Sequence, residues 1–300
     1  MLSPPDPVTG AYKLGSALAR SLPGPWVHPA ADVAGTVAAQ LLRDRRRLLA
    51  RNLQRARPDL SGADLDAAVD AAFDSYARYW VESFRLPTLS ARELDATFSY
   101  EGYDHIATAL EAGSGAIVAL PHLGGWEWAA FWVATIERVP ITAVVEPVEP
   151  PELFEWFVAF RRSLGLNVVA LGPDAATETL RALRDNEVLC LVCDRDIQGQ
   201  GVEVEFFGET TTLPAGPAML AFRTDAPLLP TAIYFDGDGH RAVVEPPLAA
   251  ERRGKLRDDV ARVTQDLAWA LEDLIRVAPE QWHLMQPNWP SDHHLVDEGH

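Results

Sequence analysis

Apolar residues recur at helical spacing through the first hundred positions and then contract into short continuous runs. Leu14, Ala17, Leu18 and Leu22 share one face of residues 11–22, which predicts a short amphipathic helix ended by Pro23 and Pro25. A second helix is predicted from Asp32 to Arg57, apolar at Val33, Val37, Leu41, Leu48 and Leu49 and stopped by Pro58. Ser61 reads as the N-cap of a third, which runs through Phe73, Tyr76, Tyr79, Trp80 and Phe84.

From residue 115 the runs are AIVALP (116–121), ITAVVE (141–146), NVVALG (167–172), VLCLVC (188–193), LLPTAIYF (228–235) and AVVEPP (242–247). Helical patterns separate them. Continuous Val/Ile/Leu runs of this kind belong to strands covered on both faces, so the expected fold is α/β with a central, mostly parallel sheet. Asp236-Gly237-Asp238-Gly239 predicts a hairpin turn, and a last helix is expected over Asp258–Val277, followed by a frayed tail from Ser291. No repeat or long linker divides the chain. The expectation is one domain over 1–300, with a helical extension (1–100) and an α/β core (101–290).

Composition narrows this reading. Hydrophobic residues make up 48% and charged residues 23%, enough for a large core. The net charge of −17 argues against a nucleic-acid partner, since neutralising phosphates takes surplus Lys and Arg. The charge is uneven, however: residues 1–57 carry nine basic side chains against three acidic ones. A basic segment on an acidic body fits docking on anionic lipid, and it fits a solvated helix face as well. The first residues show no secretory signal pattern, and no apolar stretch reaches 18 residues, so no bilayer-spanning helix is expected.

The segment Pro121-His122-Leu123-Gly124-Gly125-Trp126-Glu127 directly follows a predicted buried strand, at the sheet edge where α/β proteins place ligands. His122 is suited to general-base work near neutral pH. Two glycines permit a sharp turn that could bring Glu127 back toward the imidazole, where a carboxylate fixes the tautomer and stabilises the imidazolium. Glu146 and Asp194 also end predicted strands and are expected on the same rim. Cys190 and Cys193 lie within one strand, point to opposite faces and read as structural thiols. No Gly-x-Gly-x-x-Gly or P-loop is present, and no cofactor or metal is expected. The string Asp194-Arg195-Asp196 leaves one rival open, a metal-dependent glycosyltransferase using Asp194 and Asp196. The aromatics Trp126, Trp128, Phe131 and Trp132, with Phe154, Trp156, Phe157 and Phe160, suit either core or an acyl-chain tunnel. Thr210 to Thr212 read as a loop leading into a helix.

ALPHLGGWEWAA resembles the His-x4-Asp/Glu motif of the glycerolipid and lipid A acyltransferases. RRRLLARNLQRARPDLS, LVCDRD, GVEVEFFGE and LPAGPAMLA resemble later blocks of the same family in the right order. The likeness is greatest to its phosphatidylinositol mannoside branch. It implies a glycerolipid-acyltransferase-like fold and transfer of a fatty acyl chain from acyl-CoA to a mannose hydroxyl of a glycolipid, at the cytoplasmic face of the membrane. It assigns His122, Glu127 and Asp194 to catalysis, and Glu146, Arg161 and Arg195 to substrate binding. Glu127 stands where many members have Asp. Glu127 and Asp194 both remain candidates for orienting His122, and another glycolipid acceptor remains an alternative.

Overall fold

The computed structural model describes residues 6–295. Helix α1 spans Pro7–Ser21, and Asp6 caps it by accepting from Val8 N and Thr9 N. It therefore starts four residues before the expected position. The single helix expected over Asp32–Arg57 is two, α2 (Val27–Leu41) and α3 (Arg43–Ala56), because Leu42 leaves the helical region at φ −99°, ψ 64°. Helix α4 (Gly62–Arg85) packs against all three. Ser61 precedes α4 but makes no side-chain cap bond.

The apolar faces read from the sequence of α1 and α2 turn outward. Leu14, Leu18, Val33 and Leu41 are 62%, 58%, 68% and 74% exposed. The buried face of α2 is built from small residues, Ala31, Gly35 and Ala39, and a side chain at Gly35 would collide with Asp74 of α4. Several of the basic residues are also committed: Arg46 to Asp66 and Asp70, Arg47 to Asp44, Arg51 and Arg55 to Asp292, and Arg57 to Asp59.

A short helix α5 (Ala91–Ala96), opened by a Ser90–Glu93 capping box, leads into the sheet. The strands are β1 (Phe98–Glu101), β2 (Ala116–Leu120), β3 (Ile141–Val145), β4 (Asn167–Ala170) and β5 (Val188–Val192). A two-stranded hairpin of β6 (Val202–Phe206) and β7 (Glu209–Leu213) stands apart, and β8 (Leu228–Asp236) and β9 (Gly239–Val244) complete the main sheet. Its order is β1-β9-β8-β2-β5-β3-β4, parallel except for the β8–β9 pair. β1 and the hairpin were not expected, and Thr210 to Thr212 lie in β7 rather than in a loop.

Alternate side chains go to the two faces of each strand. Ile117, Ala119, Leu189 and Leu191 face α9 (Ala175–Arg184), α10 (Gly216–Thr224) and α11 (Leu256–Val277). Ala116, Val118, Leu120 and Val188 face α6 (Asp104–Glu111), α7 (Trp126–Trp132) and α8 (Pro151–Ser163). All five β2 side chains are buried, which explains the unbroken apolar run. The tail expected to fray from Ser291 instead begins in a 3₁₀ helix, Pro290–Leu295, within the described residues. Trp282 and Trp289 are buried, and Asp292 is buried in ion pairs with Arg51 and Arg55. Residues 296–300 of the expected tail lie outside the described residues.

Candidate active site

β2 and β5 pair in parallel with Leu120 opposite Val192. Two residues further on, His122 and Asp194 stand opposite each other and meet. His122 Nδ1 lies 2.6 Å from Asp194 Oδ1. The other carboxylate oxygen, Oδ2, accepts from Trp282 Nε1 at 2.7 Å and from His122 N at 3.0 Å. Asn288 Nδ2 donates to the Asp194 carbonyl. Burial pushes the Asp194 carboxyl up, but the His122 charge and these hydrogen bonds outweigh it and hold the group below its ordinary value. The acid thus stays ionised, the imidazole is fixed with its Nδ1 bonded, and Nε2 has no hydrogen-bond partner among the described residues on a ring that is 37% exposed.

The loop that carries His122 is clamped from the C-terminal side. Gly124 N donates to Gln281 O, His283 N donates to His122 O, and Leu123 bridges Trp282. Gly124 has φ +55°, and a side chain there would strike the Ile233 carbonyl, so the turn needs glycine. Because its N–H is taken by Gln281, Gly124 is not free to stabilise an oxyanion.

Glu127 does not turn back to the imidazole. It is 2% exposed, and its Oε1 accepts from Tyr79 Oη at 2.8 Å and Arg161 Nη2 at 3.0 Å. Burial and then the Glu127 charge hold the Tyr79 hydroxyl well above its ordinary value, so it serves as a donor. Arg161, expected to bind substrate, is thus engaged with Glu127. It joins α8 to α7 beside Trp126 and Phe157. Glu146 pairs with Arg195. Asp196 accepts from Gln198 N, Gly199 N, Gly201 N and Thr212 Oγ1, so its carboxylate shapes a loop. Among the described residues no group of three or more His, Cys, Asp or Glu side chains converges as a metal site. Both cysteines are buried; burial pushes the Cys190 thiol up to about 12 and raises Cys193 too.

Two apolar cavities flank this edge, one on each face of the sheet. The larger, about 380 Å³, lies between α9 and α10 and has Glu146 and Arg195 in its wall with Leu180, Leu191 and Met219. The narrower one lies under α7, lined by Leu120, Trp126, Ala129, Trp132 and Cys190. The aromatics Trp156, Phe157 and Phe160 line neither; they pack on Trp80 and Phe84. Trp282 and Asn288 were not anticipated. Two tryptophans between the last predicted helix and the expected tail, Trp282 and Trp289, were the available signal.

A mostly parallel α/β sheet thus carries a histidine–carboxylate pair just beyond its central strands, and the family comparison gives the class of protein. Residues 8–291 match the bacterial lipid A biosynthesis acyltransferase family, and the chain belongs to it. It is 39% identical over 289 residues to the phosphatidylinositol mannoside acyltransferase of Mycobacterium tuberculosis strain H37Rv, covering 94% of this chain and 88% of that one. To the enzyme of the same name from Mycolicibacterium smegmatis it is 41% identical over 236 residues, 78% of this chain and 75% of the relative.

Proposed function

We propose that this protein transfers a fatty acyl chain from acyl-CoA to a mannose hydroxyl of a phosphatidylinositol mannoside by direct attack. The observation that carries the mechanism is the His122–Asp194 pair with an unengaged Nε2. His122 Nε2 takes the proton of the sugar hydroxyl, and the oxygen attacks the thioester carbonyl. The tetrahedral intermediate then collapses, the C–S bond breaks, and the imidazolium returns its proton to the leaving thiolate. Asp194 stabilises the imidazolium between these steps. The names of the mycobacterial relatives support the acceptor.

Glu146 and Arg195 bind polar parts of the substrates at the mouth of the larger cavity, whose size suits a ligand chain. Glu127 and Arg161 serve the site by holding α7, and with it the loop after β2, in place. Residues 1–100 act as a docking extension on the 101–290 core of one domain. No helix among the described residues is long and apolar enough to cross a membrane. The outward faces of α1 and α2 support peripheral binding at the cytoplasmic face of the cell membrane, with exposed Lys13, Arg43 and Arg45 able to meet anionic lipid.

Incubating the purified protein with acyl-CoA and phosphatidylinositol mannoside, followed by mass spectrometry of the lipids, tests this reading. His122→Ala should lower transfer by about 10²–10⁴-fold. A folded His122→Ala protein with unchanged turnover would overturn it.

A further inference from the structure

The acid of the pair is supported by a residue that lies far along the chain. Asp194 is fully buried and needs donors for both oxygens. Oδ1 serves His122. Oδ2 has two donors, the His122 backbone and the indole of Trp282, and only the second comes from a side chain. Trp282 is 1% exposed, and Phe206, Phe207 and Trp289 pack around its ring. Its backbone neighbours bind the other partner: His283 N holds the His122 carbonyl, and Gln281 O holds Gly124 N. One short segment therefore grips both members of the pair, the acid through a side chain and the base through its loop.

Resting on the reading above, we infer that Trp282 is a positioning residue for acyl transfer. Its indole N–H anchors Oδ2 and so aims Oδ1 at His122 Nδ1. The indole of Trp282 touches no reacting atom in this role; it sets the rotation of the carboxylate. Without the indole, Oδ2 keeps only the longer bond from His122 N, and the carboxylate turns more freely about χ2, which is a soft torsion. The ring packing contributes to stability, whereas the N–H contributes to turnover, and the two are separable by Trp282→Phe.

The test is a double-mutant cycle of Trp282→Phe and Asp194→Asn, read by steady-state acyl transfer. Trp282→Phe should lower kcat by about tenfold or more, the scale of a hydrogen bond to a charged group, with the KM for acyl-CoA unchanged. In an Asp194→Asn background the same change should cost much less, because the charge that the indole serves is gone. A structural role alone would give similar losses in both backgrounds.

Should Trp282→Phe fail to fold, the assigned indole N–H resonance of Trp282 in the unsubstituted protein is a second readout. It should lie downfield and move upfield in Asp194→Asn. Unchanged kcat in folded Trp282→Phe, equal losses in the two backgrounds, or an indole resonance indifferent to Asp194→Asn would each overturn the inference. If His122→Ala is inactive while Trp282→Phe is unaffected, the acyl-transfer reading stands and only the role of Trp282 fails.

Discussion

The two acids that the sequence left in competition should respond differently to losing their charge. In Asp194→Asn, Oδ2 still faces two donors, Trp282 Nε1 and the His122 backbone N–H. The amide oxygen must take that place, so the amide NH2 is forced toward His122 Nδ1. The imidazole then has to accept at Nδ1 and carry its proton on Nε2, the tautomer that cannot take a proton from an acceptor hydroxyl. In the serine hydrolase template the same exchange lowers kcat by about 10⁴, which corresponds to a barrier increase of about 5–6 kcal/mol. A fall of 10³–10⁴ in transfer, with little change in thermal stability, is expected here. Glu127→Gln removes the charge from a pair with Arg161 whose members are 2% and 13% exposed. Uncoupling a buried pair costs about 3–5 kcal/mol of stability. The Glu127→Gln protein should therefore melt several degrees lower and, where folded, retain far more turnover than Asp194→Asn. Product mass spectrometry alongside thermal melts reads both effects. Wild-type turnover in Asp194→Asn, or a larger kinetic loss in Glu127→Gln, would refute the assignment.

His283 is buried beside the pair, and burial first, then the His122 charge, lowers its imidazole to about 3. The unfolded chain takes up this proton near pH 6.5 and the folded one does not, so stability should fall as pH drops from about 6.5 toward 3, by up to about 1.4 kcal/mol per unit. Replacing it as His283→Gln should flatten that stretch of a denaturation-versus-pH curve; an unchanged curve would deny the effect. Val33, Val37 and Leu41 replaced by Ser should release the protein from anionic vesicles, since inserting each side chain contributes up to about 1.5–3 kcal/mol. Reversing Arg46 and Arg47 should matter less, because both already hold carboxylates. Release by charge reversal alone would return the docking role to the basic stretch. Leu180→Trp, in the larger cavity, should shorten the preferred acyl chain, while Ala129→Leu in the narrower one should not; the reverse pattern would place the chain under α7.

The sheet was readable because its strands are buried on both faces and so appear as unbroken apolar runs, as in β2, β5 and β8. The hairpin was also marked, in the alternation Val202-Glu203-Val204-Glu205-Phe206, yet five residues of period two are easily passed over. Helical periodicity located the apolar stripes of α1 and α2 but could not say which side was inside. There the close approach to α4 is made by Ala31, Gly35 and Ala39, leaving the larger side chains outward. At the site, strand-end position placed His122 and Asp194 on one rim, and there the two side chains meet. The spacing of Glu127 was misleading because its direction depends on a left-handed Gly124 and on Arg161, contributed from 34 residues away. Trp282 reaches Asp194 across 88 residues, a distance that no local pattern encodes.

The in-line extension of β2 and β5 has a consequence for how the enzyme can vary. Other loops on this rim can lengthen or shorten without disturbing the His122–Asp194 pair, so substrate preference is free to drift. A single-residue insertion within either strand is another matter. It would rotate every following side chain to the opposite face, sending His122 or Asp194 into the wrong layer of the core. The spacing from β2 to His122 and from β5 to Asp194 is thus far less tolerant of insertion than the residues around it.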